Sequence, residues 1–133
     1  MKYLIDNNLP PGLAIALHAL DPKKRIVEAQ RNKFPGYKAP GDVPDTDWLP
    51  TLITEGNWVI VTQDHAKTEH ELRLWHDQTL TVFFLEKGWE HIPLWEKASK
   101  LVKWWPTICD TAEKIEPGGS YWIPAKSWVL RRK

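Results

Sequence analysis

Cysteine is nearly absent: Cys109 is the single one in the chain. That excludes an internal disulfide and argues against a cysteine-based zinc site. Such usage suits a reducing compartment, and a cytoplasmic location is expected. Long hydrophobic runs are absent too. No stretch approaches the roughly 20 apolar residues needed to span a bilayer. The opening Met1-Lys2-Tyr3-Leu4-Ile5-Asp6 carries charge and has no signal-peptide core. A soluble, unprocessed protein without membrane association is expected. Charge of one sign is also lacking. The net charge is +1, so any basic surface must be local. From Ile115 on, Lys126, Arg131, Arg132 and Lys133 face only Glu116, four cations against one anion. This reads as a frayed terminus, with a phosphate-contacting tail as the alternative. There is no Gly-rich phosphate loop, no Ser-His-Asp signature and no HExxH motif. Histidines 18, 65, 70, 76 and 91 show no metal-binding spacing.

What is present fits one domain of 133 residues with a real core, 42% apolar and 26% charged. Nine tryptophans stand out. Trp58, Trp95, Trp105 and Trp122 fall within helical or strand patterns and are expected to pack. Adjacent Trp104 and Trp105 cannot share one helix face, so one of them is expected to be partly exposed. Stacking on nucleic-acid bases is the competing role for such a ring.

Lys2 to Ile5 reads as a short buried strand closed by Asp6, Asn7 and Asn8. Pro10 and Pro11 then suit the first turn of a helix. Its apolar face is Leu13, Leu17 and Leu20, and Asp21-Pro22 ends it. Arg25 to Ala29 is a weaker strand. Residues 32–44 hold three prolines and two glycines and read as a long loop. Asp45 opens a helix carrying Trp48, Leu49, Leu52 and Ile53, stopped by Gly56. Trp58-Val59-Ile60-Val61 is apolar at every position, as strands covered on both faces are. A short helix over Thr68 to Trp75 and a strand over Leu80 to Leu85 follow. The longest helix runs from about Pro93 to Lys114, with Leu94, Ala98, Leu101, Val102, Trp105 and Ile108 on one stripe and a kink at Pro106. A last strand near Tyr121 to Leu130 is interrupted by Pro124 and so expected at an edge.

Alternation of strands and helices predicts a three-layer α/β/α architecture around a mostly parallel sheet of about five strands. The first strand is expected beside the Trp58–Val61 strand. In such folds ligands bind outside the carboxyl ends of the strands. Asp6 and Asp64 follow two strands, and Asp45 and Asp47 open the helix between them. Each alone reads as a turn residue or helix cap. Brought together they repel one another unless a cation neutralises them. Such a cluster is a hard-oxygen site suited to Mg²⁺ or Mn²⁺, and the expected chemistry is phosphodiester hydrolysis.

At these residues the sequence resembles the PIN-like nuclease family, especially short members related to VapC-type toxins. The resemblance covers roughly residues 2 to 90. It is carried by Leu4-Ile5-Asp6-Asn7-Asn8-Leu9-Pro10, by Asp45-x-Asp47-Trp48-Leu49 and by Val59-x-Val61-Thr62-Gln63-Asp64. It implies a PIN-like fold and a metal-dependent ribonuclease, the toxin of a toxin–antitoxin pair. Asp6, Asp45 and Asp64 then correspond to the catalytic, metal-binding acids, with Asp47 an additional metal ligand. The implied partners are an RNA substrate, an antitoxin protein and a second copy of the chain.

The sequence departs from the family pattern in three places. Asn7 stands where related members place an acid. His65-Ala66-Lys67 replaces a second acid and a downstream aromatic. The separate helix acid of longer members has no direct match, Asp42 and Glu86 being the substitutes. The alternative is therefore a catalytically degenerate PIN-like module that binds a protein or RNA. A phospho-accepting receiver also fits an Asp-ended strand, but it would need an acidic doublet where Asn7 and Asn8 follow Asp6.

Overall fold

The computed structural model describes residues 1–6, 9–34, 45–63, 79–114 and 118–133, with the backbone alone at 31 and 45–47. Its strands are β1 (Lys2–Ile5), β2 (Ile26–Ala29), β3 (Trp58–Thr62), β4 (Leu80–Leu85), β5 (Ser120–Ile123) and β6 (Arg131–Arg132). Its helices are α1 (Pro11–Leu20), α2 (Gln30–Lys33), α3 (Asp45–Glu55) and α4 (Leu94–Lys114), with a 3-10 segment at Lys87–His91. The strands form one six-stranded sheet in the order β2-β1-β3-β4-β5-β6. The first five are parallel and β6 pairs antiparallel with β5. β1 therefore lies between β2 and β3, as expected.

The strand alternation sorts the core into two layers. Tyr3, Ile5, Val59, Val61, Phe83 and Leu85 face α1 and α4, packing with Leu13, Leu17, Leu101 and Trp105. Leu4, Ile60, Val82 and Phe84 face the other way, against Trp48, Leu49 and Leu52 of α3. With both faces covered, every residue of β3 and β4 is buried, which explains their unbroken apolar runs.

Helix ends follow local chemistry. Pro11 takes the first position of α1, where its missing N–H costs nothing. Asp21 leaves the helical region at ψ 116° ahead of Pro22. Its carboxylate accepts the Lys23 N–H at 2.8 Å and the Arg25 guanidinium at 3.0 Å. Arg25 continues to Glu113 at 2.7 Å, tying the start of β2 to the last turns of α4. α3 stops where Gly56 takes φ +75° and donates to the Leu52 carbonyl at 2.9 Å.

Several expectations are corrected. Leu20 is 65% exposed. It overhangs an open groove of about 460 Å³ between the end of α1 and Val102, Trp105 and Pro106 of α4. Ala14 takes its place in the core. Trp104 and Trp105 are both buried. Trp105 tilts onto Tyr3 with centroids 5.2 Å apart, and Trp104 is covered from outside the sheet by Trp128, stacked at 5.3 Å. Trp95 does not pack, because the buried stripe of α4 begins only at Leu101. α4 continues through Pro106 to Lys114. Residues 30–33 of the segment around the expected loop are helical, and 35–44 lie outside the described residues, as does the helix expected over Thr68 to Trp75.

The expected last strand is two strands. β5 is inserted beside β4, Pro124 ends it, and the chain returns as β6, which takes the edge. The terminus is thus pinned and not frayed. Arg131 pairs with Glu86, and the Lys133 N–H donates to the Ser120 carbonyl at 2.8 Å. The Lys133 ammonium sits over Phe84 at 3.8 Å and Trp122 at 4.7 Å. Among the described residues no helix is long and apolar enough to cross a membrane.

Candidate active site

The carboxyl ends of β1 and β3 lie side by side, since Ile5 is in register with Val61. The Asp6 N–H extends the ladder one residue by donating to the Val61 carbonyl at 3.1 Å. The Asp6 carbonyl accepts the Leu9 N–H at 3.0 Å, turning the chain toward α1. The backbone at Asp6 is therefore held from both sides. Its side chain is only 6% exposed. The Thr62 hydroxyl, itself buried, donates to Asp6 Oδ2 at 2.5 Å. A short hydrogen bond to a carboxylate is among the stronger ones in proteins, and it fixes the rotamer of Asp6.

Alternation places Asp6 and Thr62 on the α3 face, two residues beyond Leu4 and Ile60. α3 delivers the chain into β3 through Gly56 and Asn57, so its last turn lies at the amino end of β3. Its first turn, at the other end of the helix, carries Asp45 and Asp47. Of the four expected acids, Asp6 stands at this edge and Asp45 and Asp47 open α3. Asp64 lies outside the described residues, as do Asn7, Asp42 and His65. Glu86 is described, and its carboxylate is engaged by Arg131.

Two contacts at this edge were not expected from the sequence. Thr62 reads there only as the closure of a strand; its role needs the register that sets it opposite Asp6. The other is Lys97, whose ammonium donates to Gln63 Oε1 at 3.1 Å. Burial pulls the Lys97 pKa below the usual lysine value, with Glu90 pushing it back up. Nothing in the spacing of Lys97, 34 residues from Gln63, signals that contact.

A model of the PIN-like domain family matches residues 1–87, about two thirds of the chain. The chain belongs to the PIN-like domain family. No curated protein and no solved structure shows significant similarity to it. PIN-like domains belong to a nuclease-type superfamily, and its nucleases generally use divalent metals. The α/β sheet described above is consistent with a PIN-like fold. Residues 88–133 add α4, β5 and β6 to the same PIN-like sheet.

The donors at the PIN-like edge suit a hard divalent ion. Asp6 presents carboxylate oxygen held by a hydroxyl, and oxygen donors select Mg²⁺ or Mn²⁺ over softer metals. Among the described residues no group of three or more His, Cys, Asp or Glu side chains converges on one point. Among the described residues the fit to a metal rests on Asp6 alone.

Proposed function

We propose that this PIN-like protein is a Mg²⁺- or Mn²⁺-dependent endoribonuclease acting at the carboxyl edge of β1 and β3. The observation that carries the reading is the buried Asp6 carboxylate, held at 2.5 Å by the Thr62 hydroxyl. It sits on the sheet face that α3 covers, and the first turn of α3 carries Asp45 and Asp47. A metal held by Asp6, Asp45 and Asp64, with Asp47 as a further ligand, would supply an activated water and stabilise charge on the phosphoryl oxygens.

The chain's own residues do the rest. Thr62 holds one Asp6 oxygen and so fixes the direction of the carboxylate. β1 and β3, buried among aliphatic side chains, make the edge rigid. The layer of α3 covers one side of the site and limits water there. The finer role, toxin of a toxin–antitoxin pair, rests on the VapC-like resemblance of the motifs around Asp6 and Asp64.

The test is cleavage of single-stranded RNA in Mn²⁺ and in excess chelator. Cleavage that requires the metal and falls at least a hundredfold in Asp6→Asn supports the reading. RNA binding without cleavage in either metal would replace the nuclease by a binding module. Growth arrest on expression, absent in Asp6→Asn, tests the toxin role.

A further inference from the structure

We infer that Trp95 and Lys97, in the first turns of α4, form a contact platform for single-stranded RNA beside the acid edge. Lys97 takes a substrate phosphate and Trp95 stacks on a base. This rests on the ribonuclease reading and adds the residues that lead the strand to the site.

Lys97 is held in an electrostatically costly place. Its ammonium is anchored by Gln63, which follows Thr62 at the same carboxyl edge and, by strand alternation, turns to the opposite face of the sheet. Gln63 is a neutral acceptor and leaves the charge in place. Among the described residues no carboxylate forms an ion pair with Lys97. The positive end of the α4 dipole opposes a cation in these first turns. Partial burial strips water from the ammonium as well. Glu90 offsets these costs only in part. An arriving phosphodiester would offset the rest, and it is the anion that the adjacent chemistry uses.

Trp95 supplies the second half. It is 86% exposed, whereas Trp48, Trp58, Trp89, Trp104 and Trp105 are all buried. An indole left in water beside a site for nucleic acid matches the stacking faces of proteins that bind single strands. Trp95 and Lys97 point about 200° apart around the helix. One nucleotide cannot touch both, but a strand crossing the end of α4 can. Glu90 and Glu96 flank them, so the surface is no general polyanion track, and a short contact follows. Lys100 is not part of it, because its ammonium is committed to the Ala125 carbonyl at 2.7 Å. The Lys97 charge, only partly offset by Glu90, favours RNA over an apolar protein partner at this end of α4.

The experiment uses the full chain carrying Asp6→Asn, so that binding is read without cleavage. A labelled single-stranded RNA of about twelve nucleotides is titrated by fluorescence anisotropy, at salt from about 50 to about 200 mM. Trp95→Ala is expected to weaken binding about tenfold with an unchanged melting midpoint, since the ring lies in water. Lys97→Gln is expected to weaken it and to lower the slope of log affinity against log salt by about 0.7, the loss of one phosphate contact. Lys97→Arg should restore that slope. Unchanged affinity in Trp95→Ala and Lys97→Gln would overturn the platform. So would weaker binding by Lys97→Gln with an unchanged slope, which marks a structural role, or no RNA binding by the Asp6→Asn parent. A changed oligomeric state in Trp95→Ala with unchanged RNA affinity assigns the ring to a protein interface and also overturns it. Failure of the ribonuclease reading shows separately, as absence of metal-dependent cleavage by the wild type.

Discussion

Thr62 Oγ1 lies 2.5 Å from Asp6 Oδ2, joining the residues that leave two neighbouring parallel strands. Because Ile5 is in register with Val61, this contact depends on the pairing of β1 with β3 and on nothing local to either strand.

Removing the Thr62 hydroxyl should therefore loosen the Asp6 carboxylate without deleting it. Thr62→Val is expected to lower Mn²⁺ affinity and RNA cleavage about 10- to 100-fold, the usual effect of losing a partner that orients a ligand. Thr62→Ser should retain most of both. Calorimetric Mn²⁺ titration with RNA present, alongside the cleavage rate, checks this. Equal metal affinity in Thr62→Val and wild type would show that the hydroxyl serves packing alone.

Arg25 links Asp21 to Glu113 and so fastens β2 to α4. Burial pushes the Asp21 carboxyl upward, but the Arg25 guanidinium and the Lys23 N–H outweigh it and leave the pKa below the usual carboxylate range. Arg25 likewise holds Glu113 low, against a smaller opposing effect of burial. Depressed carboxylate pKa values contribute stability that is complete above the unfolded values, about 4, and is lost as pH falls through the folded ones. Arg25→Met is expected to cost about 3 kcal/mol at pH 7, mostly by stranding the buried Asp21 charge. Its stability should then fall less steeply than wild type from pH 5 to pH 2. Urea unfolding across that range is the check, and parallel pH profiles would contradict the assignment.

Cys109 is buried on α4, and that burial pushes its thiol pKa up to about 11, although the Tyr3 hydroxyl beside it pulls the other way. A thiol so protonated and covered reacts slowly. Maleimide labelling at pH 8 is expected only at the rate of unfolding, rising steeply with denaturant. Fast labelling of the native protein would show that the groove between α1 and α4 opens to Cys109.

Much of the layout was legible in the residues. The apolar runs over Trp58–Val61 and Leu80–Leu85 announce strands covered on both faces, and the prolines and glycines at Pro11, Pro22 and Gly56 set the helix ends by their own backbone limits. What misled was side-chain exposure at the margins. Helical periodicity assigns Leu20 to an apolar stripe and sets Trp95 within a helical pattern expected to pack, yet a side chain is buried only where another layer lies across from it. The α4 layer does not seal Leu20, and the sheet does not reach Trp95. Trp104 failed in the opposite sense, since its cover comes from Trp128, 24 residues later in the chain.

The sequence by itself determined the element order and the acids that close them, because turn chemistry and apolar periodicity are local and each element carries its own. Only the tertiary structure decided what holds Asp6 at the edge and what Lys97 meets there. The Asp6–Thr62 and Lys97–Gln63 contacts span 56 and 34 residues. They arise from strand register and from the packing of α4 on the sheet. Register and packing are properties of the whole folded chain, and no stretch of sequence carries them alone.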